Sequence, residues 1–298
     1  MIDGDRGKRH NVAAAAVRGH ERSRDGRASF ATVEVPAMSK QAWACSSRCD
    51  KVYSLLKGAV QFNIGGVVVA LRRGEQAAVP RGTVFRYTNR RREPACMLVT
   101  HRPPFDPDAE HTFPDELRQH EVHLSGERVK LRPMTEQDWE HVLAWNADPE
   151  VLTWSDGTCA ARPPEEVREG YRTVSQFGHM FIISFAGEPI GECSLHKMNL
   201  REILRRFPQL DLRQVTMTVG RKDLWGKGLG SDALKALVRF GLEQERADGI
   251  FGILDAKNIR SWRLCLRAGL RELPGERFSL AGHAVVLAVW REKGAGSA

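Results

Sequence analysis

The chain has 298 residues, 42% of them hydrophobic and 28% charged, with a formal net charge of +8 at pH 7. That length exceeds one ordinary core and suits two domains, and the composition is that of a globular protein rather than a disordered or fibrous one. No apolar run approaches the ~20 residues of a membrane-spanning helix, and Ala13–Val17 is too short for a secretory core; a cytoplasmic protein without a membrane partner is expected.

Residues 1–28 mix Gly, Arg, Asp, His and Ala without an apolar period, which predicts a disordered tail. Over 29–104, short apolar runs at Val52–Leu56, Val67–Leu71, Ala77–Val79 and Met97–Thr100 alternate with turn residues at Gly58, Gly65-Gly66, Gly74, Pro80 and Gly82. Many short strands at this spacing predict a small all-β barrel or jelly roll. Residues 105–124, with Pro107 and Pro114, read as a linker.

From 125 to 298 the pattern becomes α+β. Arg128–Arg132 reads as a strand, and Thr135 as the N-cap of a helix reaching about Asn146. Pro164–Gln176 is a second helix, opened by its proline. Met180–Phe185 and Ile190–His196 form a hairpin around Ala186-Gly187-Glu188-Pro189. A helical insertion at Leu200–Phe207 and a strand at Leu212–Val219 lead into a glycine-rich turn. The helix Ser231–Gln244, the strand Ile250–Leu254, the helix Asn258–Arg267 and strands at Glu276–Leu280 and Ala284–Trp290 complete the chain.

The six cysteines are scattered and read as thiols of a reducing compartment; Cys45 and Cys49 find no second Cys or His pair at a metal-site spacing. The basic clusters Arg90–Arg92 and Arg201–Arg206 do not interleave aromatics with cations as a nucleic-acid platform does. A solvated basic surface is expected there, with no nucleic-acid partner. Cofactor phosphates are another partner for some of this charge.

The most informative stretch is Trp225-Gly226-Lys227-Gly228-Leu229-Gly230-Ser231, where a strand runs through alternating glycines onto an amphipathic helix. Glycines let backbone N–H groups converge on an anion, and the helix N-terminus adds partial positive charge. Lys222 and Lys227 supply point charges. The spacing fits neither a Walker loop nor a dinucleotide fingerprint.

That stretch resembles the acetyl-CoA pyrophosphate loop of the GNAT superfamily of N-acetyltransferases. Asn258 with Ser261, followed by Ala268-Gly269-Leu270, is similar to that superfamily's next helix, which starts near the pantetheine. The resemblance implies a co-substrate, acetyl-CoA, held by the 225–231 loop, by Lys222, Asn258 and Ser261, and by strand backbone at Met217 and Val219. Cys265 falls where many members carry a tyrosine that protonates the departing thiolate. A thiol of ordinary pKa, roughly 8.5, could donate that proton, although a small buried thiol is the commoner meaning.

Acetyl transfer also needs a base for the amine. The period of two puts Glu192, Ser194 and His196 on one strand face. Glu192 is the expected base, with His196 and Asp211 behind it; a structural ion pair is the plainer reading of Glu192. Trp154 and Asp156 lie in the loop expected to border the acceptor, an aromatic face beside a carboxylate that suits a cationic amine, although Trp154 also suits a core. The layout is similar to aminoglycoside N-acetyltransferases, and with the extra N-terminal domain it looks most like the kasugamycin N-acetyltransferases, an antibiotic-resistance group. A protein N-terminus or another small amine is the alternative acceptor, and a ligand-binding barrel beside an inactive transferase fold is the alternative of another class.

Gly74, Pro80, Gly82 and Asn89 match the second motif of the cupin barrel, and Lys57-Gly58 ends the first. Phe85 stands at that fold's usual histidine, while Ser46 and Lys51 fall near its other ligand positions. Metal cupins rely on imidazoles, so a barrel without metal is expected, with dimerisation, shaping of the acceptor site or ligand binding as its uses.

Overall fold

The computed structural model describes residues 11–12, 15–23, 25–155, 160–273 and 284–291. The chain divides into two compact units between Asp115 and Glu116.

The first unit is a β-barrel of two antiparallel sheets. One sheet orders its main strands as Ala15–Arg22, Ser29–Val35, Ala95–Arg102, Asp50–Lys57 and Gln76–Val79; the other as Glu110–Phe113, Trp43–Ser46, Phe85–Asn89, Ala59–Ile64 and Val67–Arg72. Strict alternation fills the interior: Ala31, Val33 and Val35 from one strand meet Met97 and Val99 from its neighbour, and Tyr53, Phe62, Phe85 and Tyr87 pack as tilted rings. Apolar side chains at every second residue are what a half-buried strand requires.

Two stretches depart from the sequence expectation. Ala15–Arg22, read as part of a disordered tail, is a strand paired with Ser29–Val35. Glu110–Phe113, read as linker, pairs with Trp43–Ser46. Both take their backbone hydrogen bonds from an existing strand, a partner that local composition does not announce.

The second unit is a mixed sheet flanked by helices. Its main strands are β1 (Lys130–Pro133), β2 (Gly178–Phe185), β3 (Glu188–Lys197), β4 (Leu212–Val219), β5 (Gly249–Asp255) and β6 (Ala284–Trp290), lying in that order. All neighbours are antiparallel except β4 and β5, which are parallel. The helices are α1 (Trp139–Trp145), α2 (Pro149–Ser155), α3 (Pro164–Ser175), α4 (Arg201–Arg206), α5 (Leu229–Arg239) and α6 (Ile259–Arg267).

Ala186 and Gly187, both at positive φ, form the tight β2–β3 turn. A register shift after Ile183 accommodates Pro189, which cannot donate to a ladder. The turn is therefore two residues, shorter than the four expected. On β3, Cys193 and Leu195 face α5 and pack with Val215, Ala233, Leu234 and Leu237. Glu192, Ser194 and His196 face the opposite side by the same alternation. α2 was not foreseen: Asp148 accepts from the N–H groups of Glu150 and Val151, and Pro149 sits at the first helical position. Trp154 therefore belongs to a helix rather than a loop. The expected strand at Glu276–Leu280 lies outside the described residues.

Candidate active site

The sheet opens between its two parallel strands. Pairing of β4 with β5 runs from Leu212↔Gly249 to Val215↔Gly252 and ends there. β4 continues to Val219 against β3, while β5 continues to Asp255 against β6. Thr216–Val219 thus borders a cleft whose other wall is Ile253–Asp255. Backbone groups along such an opening are available to an extended ligand.

The glycine-rich turn closes one end of the cleft. Gly226 and Gly228 have φ of +77° and +82°, a region that penalises any side chain. Gly228 is the N-cap of α5 and has no side chain to cap it, so the first-turn N–H groups are left for an anion. Gly230 has a different reason: a Cβ there would stand 2.8 Å from Leu264 of α6, so its absence lets α5 approach α6. The indole Nε1 of Trp225 donates to the Val219 carbonyl at 2.6 Å, fixing the turn to the end of β4. That carbonyl, one of those expected to pair with pantetheine, is taken in this structure. Asp232, in the first turn of α5, accepts from the N–H groups of Glu127, Arg128 and Val129 at 2.7–3.0 Å. Burial opposes its charge, but those three bonds hold its carboxyl below the usual range.

α2 spans the two elements that border the opening. Asp148, just before it, lies 2.8 Å from Lys222 Nζ, and Glu150 lies 3.3 Å from it. At the far end Asn258 Nδ2 donates to the Trp154 carbonyl at 2.5 Å, while Asn258 Oδ1 accepts from Ser261 N–H and caps α6. The Arg260 guanidinium sits 5.4 Å from the Trp154 ring and 5.1 Å from the Trp225 ring, a cation between two aromatic faces. Lys227 and Ser231 flank the turn, Lys227 being exposed. Lys222, Trp225, Asn258 and Ser261, chosen from sequence, are therefore brought to one region. Arg260, Asp148 and Glu150 were missed; the Asp-Pro pair at 148–149 was the available signal.

The other face of β3 and β4 is polar. Glu192 lies opposite Thr218, Ser194 opposite Thr216 and His196 opposite Gln214. Glu192, Ser194 and His196 are buried at 5%, 0% and 3% exposure. Burial pushes the His196 imidazole down to about 4, so it is neutral at pH 7. Asp211 is not part of this group: it stands at the start of β4 beside Arg213, about 16 Å along the strand from Thr216 at the usual rise. Asp156 lies outside the described residues. Cys265 is buried beside Gly252, and burial raises its thiol to about 11.

In the first unit, the Lys51 ammonium lies 2.5 Å from Glu110 Oε2 and 5.3 Å from the Phe85 ring centre, and Ser46 stands opposite Glu110. A cation, an aromatic ring and a hydroxyl do not fit the first-row metal that the cupin fold commonly holds.

Residues 128–271 match the acetyltransferase (GNAT) domain family, and the second unit is a GNAT acetyltransferase domain. Among solved structures, the aminoglycoside acetyltransferase AAC(6')-Ib with coenzyme A is similar at 24% identity, covering 55% of this chain and 95% of that one with a TM-score of 0.49. A GNAT-family acetyltransferase from Bacillus anthracis is similar at 17% identity, covering 58% of this chain and all of that one with a TM-score of 0.47. The cupin domain of Schizosaccharomyces pombe Cnp3 is similar at 16% identity over 30% of this chain and 66% of that one, with a TM-score of 0.29.

Proposed function

We propose that the protein transfers acetyl from acetyl-CoA to an amine of a cationic amino sugar of the kasugamycin type, and so confers resistance to it. The observation that carries the reading is the opening between β4 and β5, bounded by the Gly228 turn on one side and by the polar Glu192 face on the adjoining strand. The pyrophosphate lies on the 226–231 backbone, with Lys227 beside it, and pantetheine runs along Thr216–Val219. Asn258 and Lys222 exchange their present partners on α2 for the cofactor.

An amino sugar arrives protonated, so its nitrogen must lose a proton before it can attack the thioester carbonyl. Glu192 is the group assigned to take it, directly or through a water. Attack forms the C–N bond; as the tetrahedral centre collapses the C–S bond breaks, and the nitrogen's second proton passes through water to the departing thiolate, which leaves as the thiol of CoA. Holding the two reactants together supplies much of the rate. Cys265 is better read as packing: with its thiol near 11 it is a weaker acid than an ordinary thiol of roughly 8.5, and proton transfer from it to the thiolate runs uphill.

The test is a panel of amines incubated with acetyl-CoA, reading thiol release. Turnover of kasugamycin or another aminoglycoside is expected. Turnover of a peptide N-terminus alone would replace the acceptor, and no turnover with any amine would leave only a binding role.

A further inference from the structure

Three side chains on the polar face form one hydrogen-bonded chain to which the proposed chemistry gives no task. Thr216 is the first residue of β4 beyond its last pair with β5, and it is exposed at the cleft. Its Oγ1 lies 2.7 Å from Ser194 Oγ, and Ser194 Oγ lies 3.1 Å from His196 Nδ1. Ser194 and His196 are buried behind it, at 0% and 3% exposure.

Each hydroxyl has one proton to give, so fixing one end of the chain fixes its direction throughout. With His196 Nδ1 bare, Ser194 donates to it and accepts from Thr216, and Thr216 turns a lone pair to the cleft. With Nδ1 protonated, every bond reverses and Thr216 offers a proton instead. The imidazole is neutral at pH 7, so both tautomers are available to it. A neutral histidine intrinsically prefers its proton on Nε2, which selects the first. Glu192, on the same face, is an acceptor when ionised, so a ligand that fits this face brings donors.

We propose that His196, with Nδ1 bare, and Ser194 are positioning residues that hold Thr216 Oγ1 as an acceptor for an N–H of the acceptor amine. The chain then favours acceptors that bring an N–H to this point over those that bring only a lone pair. The identity of the ligand as an amine rests on the function proposed above; the direction of the chain does not.

Nitrogen-15 spectra of the full chain with labelled histidine, assigned with His196→Gln, read the tautomer directly. A bare Nδ1 on His196 at pH 7 is expected, and a protonated Nδ1 would overturn the proposal whether or not any amine is turned over. The second arm is kinetic. Thr216→Val and Ser194→Ala should each lower kcat/KM for the amine about tenfold, with acetyl-CoA affinity unchanged in Ser194→Ala and Thr216→Ser restoring activity. Because the two act through one chain, the double variant should cost no more than the worse single. Additive losses, or none, would overturn the positioning role. Failure of the wild type to acetylate any amine would sink the functional reading, and with it the ligand, while the spectra still decide the direction.

Discussion

Glu192 and Cys193 are adjacent in sequence and face opposite sides of β3. Cys193 enters the α5-side core at 0% exposure, and Glu192 is buried on the face that Thr216 and Thr218 share. Burying a charge is costly unless it is used or paired, and the role proposed for Glu192 is that of the base. Glu192→Gln retains the shape and removes the charge. It should lower kcat/KM for the amine by about 10²–10⁴-fold while acetyl-CoA binds as before. Steady-state kinetics with calorimetry checks this, and near-wild-type turnover would make Glu192 a structural residue. The strand alternation made the Glu192–Ser194–His196 face legible in the sequence. Asp211, the further base candidate, stands at the end of β4 away from the opening, because sequence proximity to β4 says nothing about which end of the strand opens.

At the scale of elements, α5 holds the glycine turn in place and is itself held by Asp232. That carboxylate ties the start of the helix to the 127–129 backbone, and its folded-state pKa is depressed. A depressed carboxyl contributes stability that is present above its unfolded value, near 3.9, and is lost as pH falls through the folded value. Asp232→Asn should cost on the order of 1 kcal/mol near neutrality, solvent screening these partly exposed bonds. Denaturant unfolding should show that cost shrinking in acid, once the wild-type carboxyl protonates as well. A cost that stays constant from pH 7 to pH 3 would contradict the assignment. The elements with strong periods were readable: the helix after Gly228, its partner after Asn258 and the barrel strands around Val52–Leu56, Val67–Leu71, Ala77–Val79 and Met97–Thr100 lie where their patterns put them. α2, Glu110–Phe113 and Ala15–Arg22 were not, because a short helix has little period to display and a paired edge strand depends on its neighbour.

Across the whole molecule the chemistry is unevenly divided. Every described residue assigned to acetyl-CoA lies in the unit 116–298, while in the barrel unit the Lys51–Glu110 pair stands against Phe85. Protein purified without added metal should carry no stoichiometric zinc, iron or manganese by elemental analysis. One equivalent bound inside the barrel would contradict that reading of the cupin positions. No helix among the described residues is long and apolar enough to cross a membrane.

The central claim is that acetyl-CoA occupies the opening between β4 and β5 with its phosphates on the Gly228 turn. Gly228→Asp tests it most directly. The added Cβ meets nothing within 4 Å, and an aspartate tolerates positive φ better than most residues, so the dominant change is a negative charge placed against the phosphates. Calorimetric titration with acetyl-CoA should show one site per chain in the wild type and a loss of about tenfold or more in affinity in the variant. Equal affinity in the two proteins, with the fold intact, would contradict this placement of the cofactor.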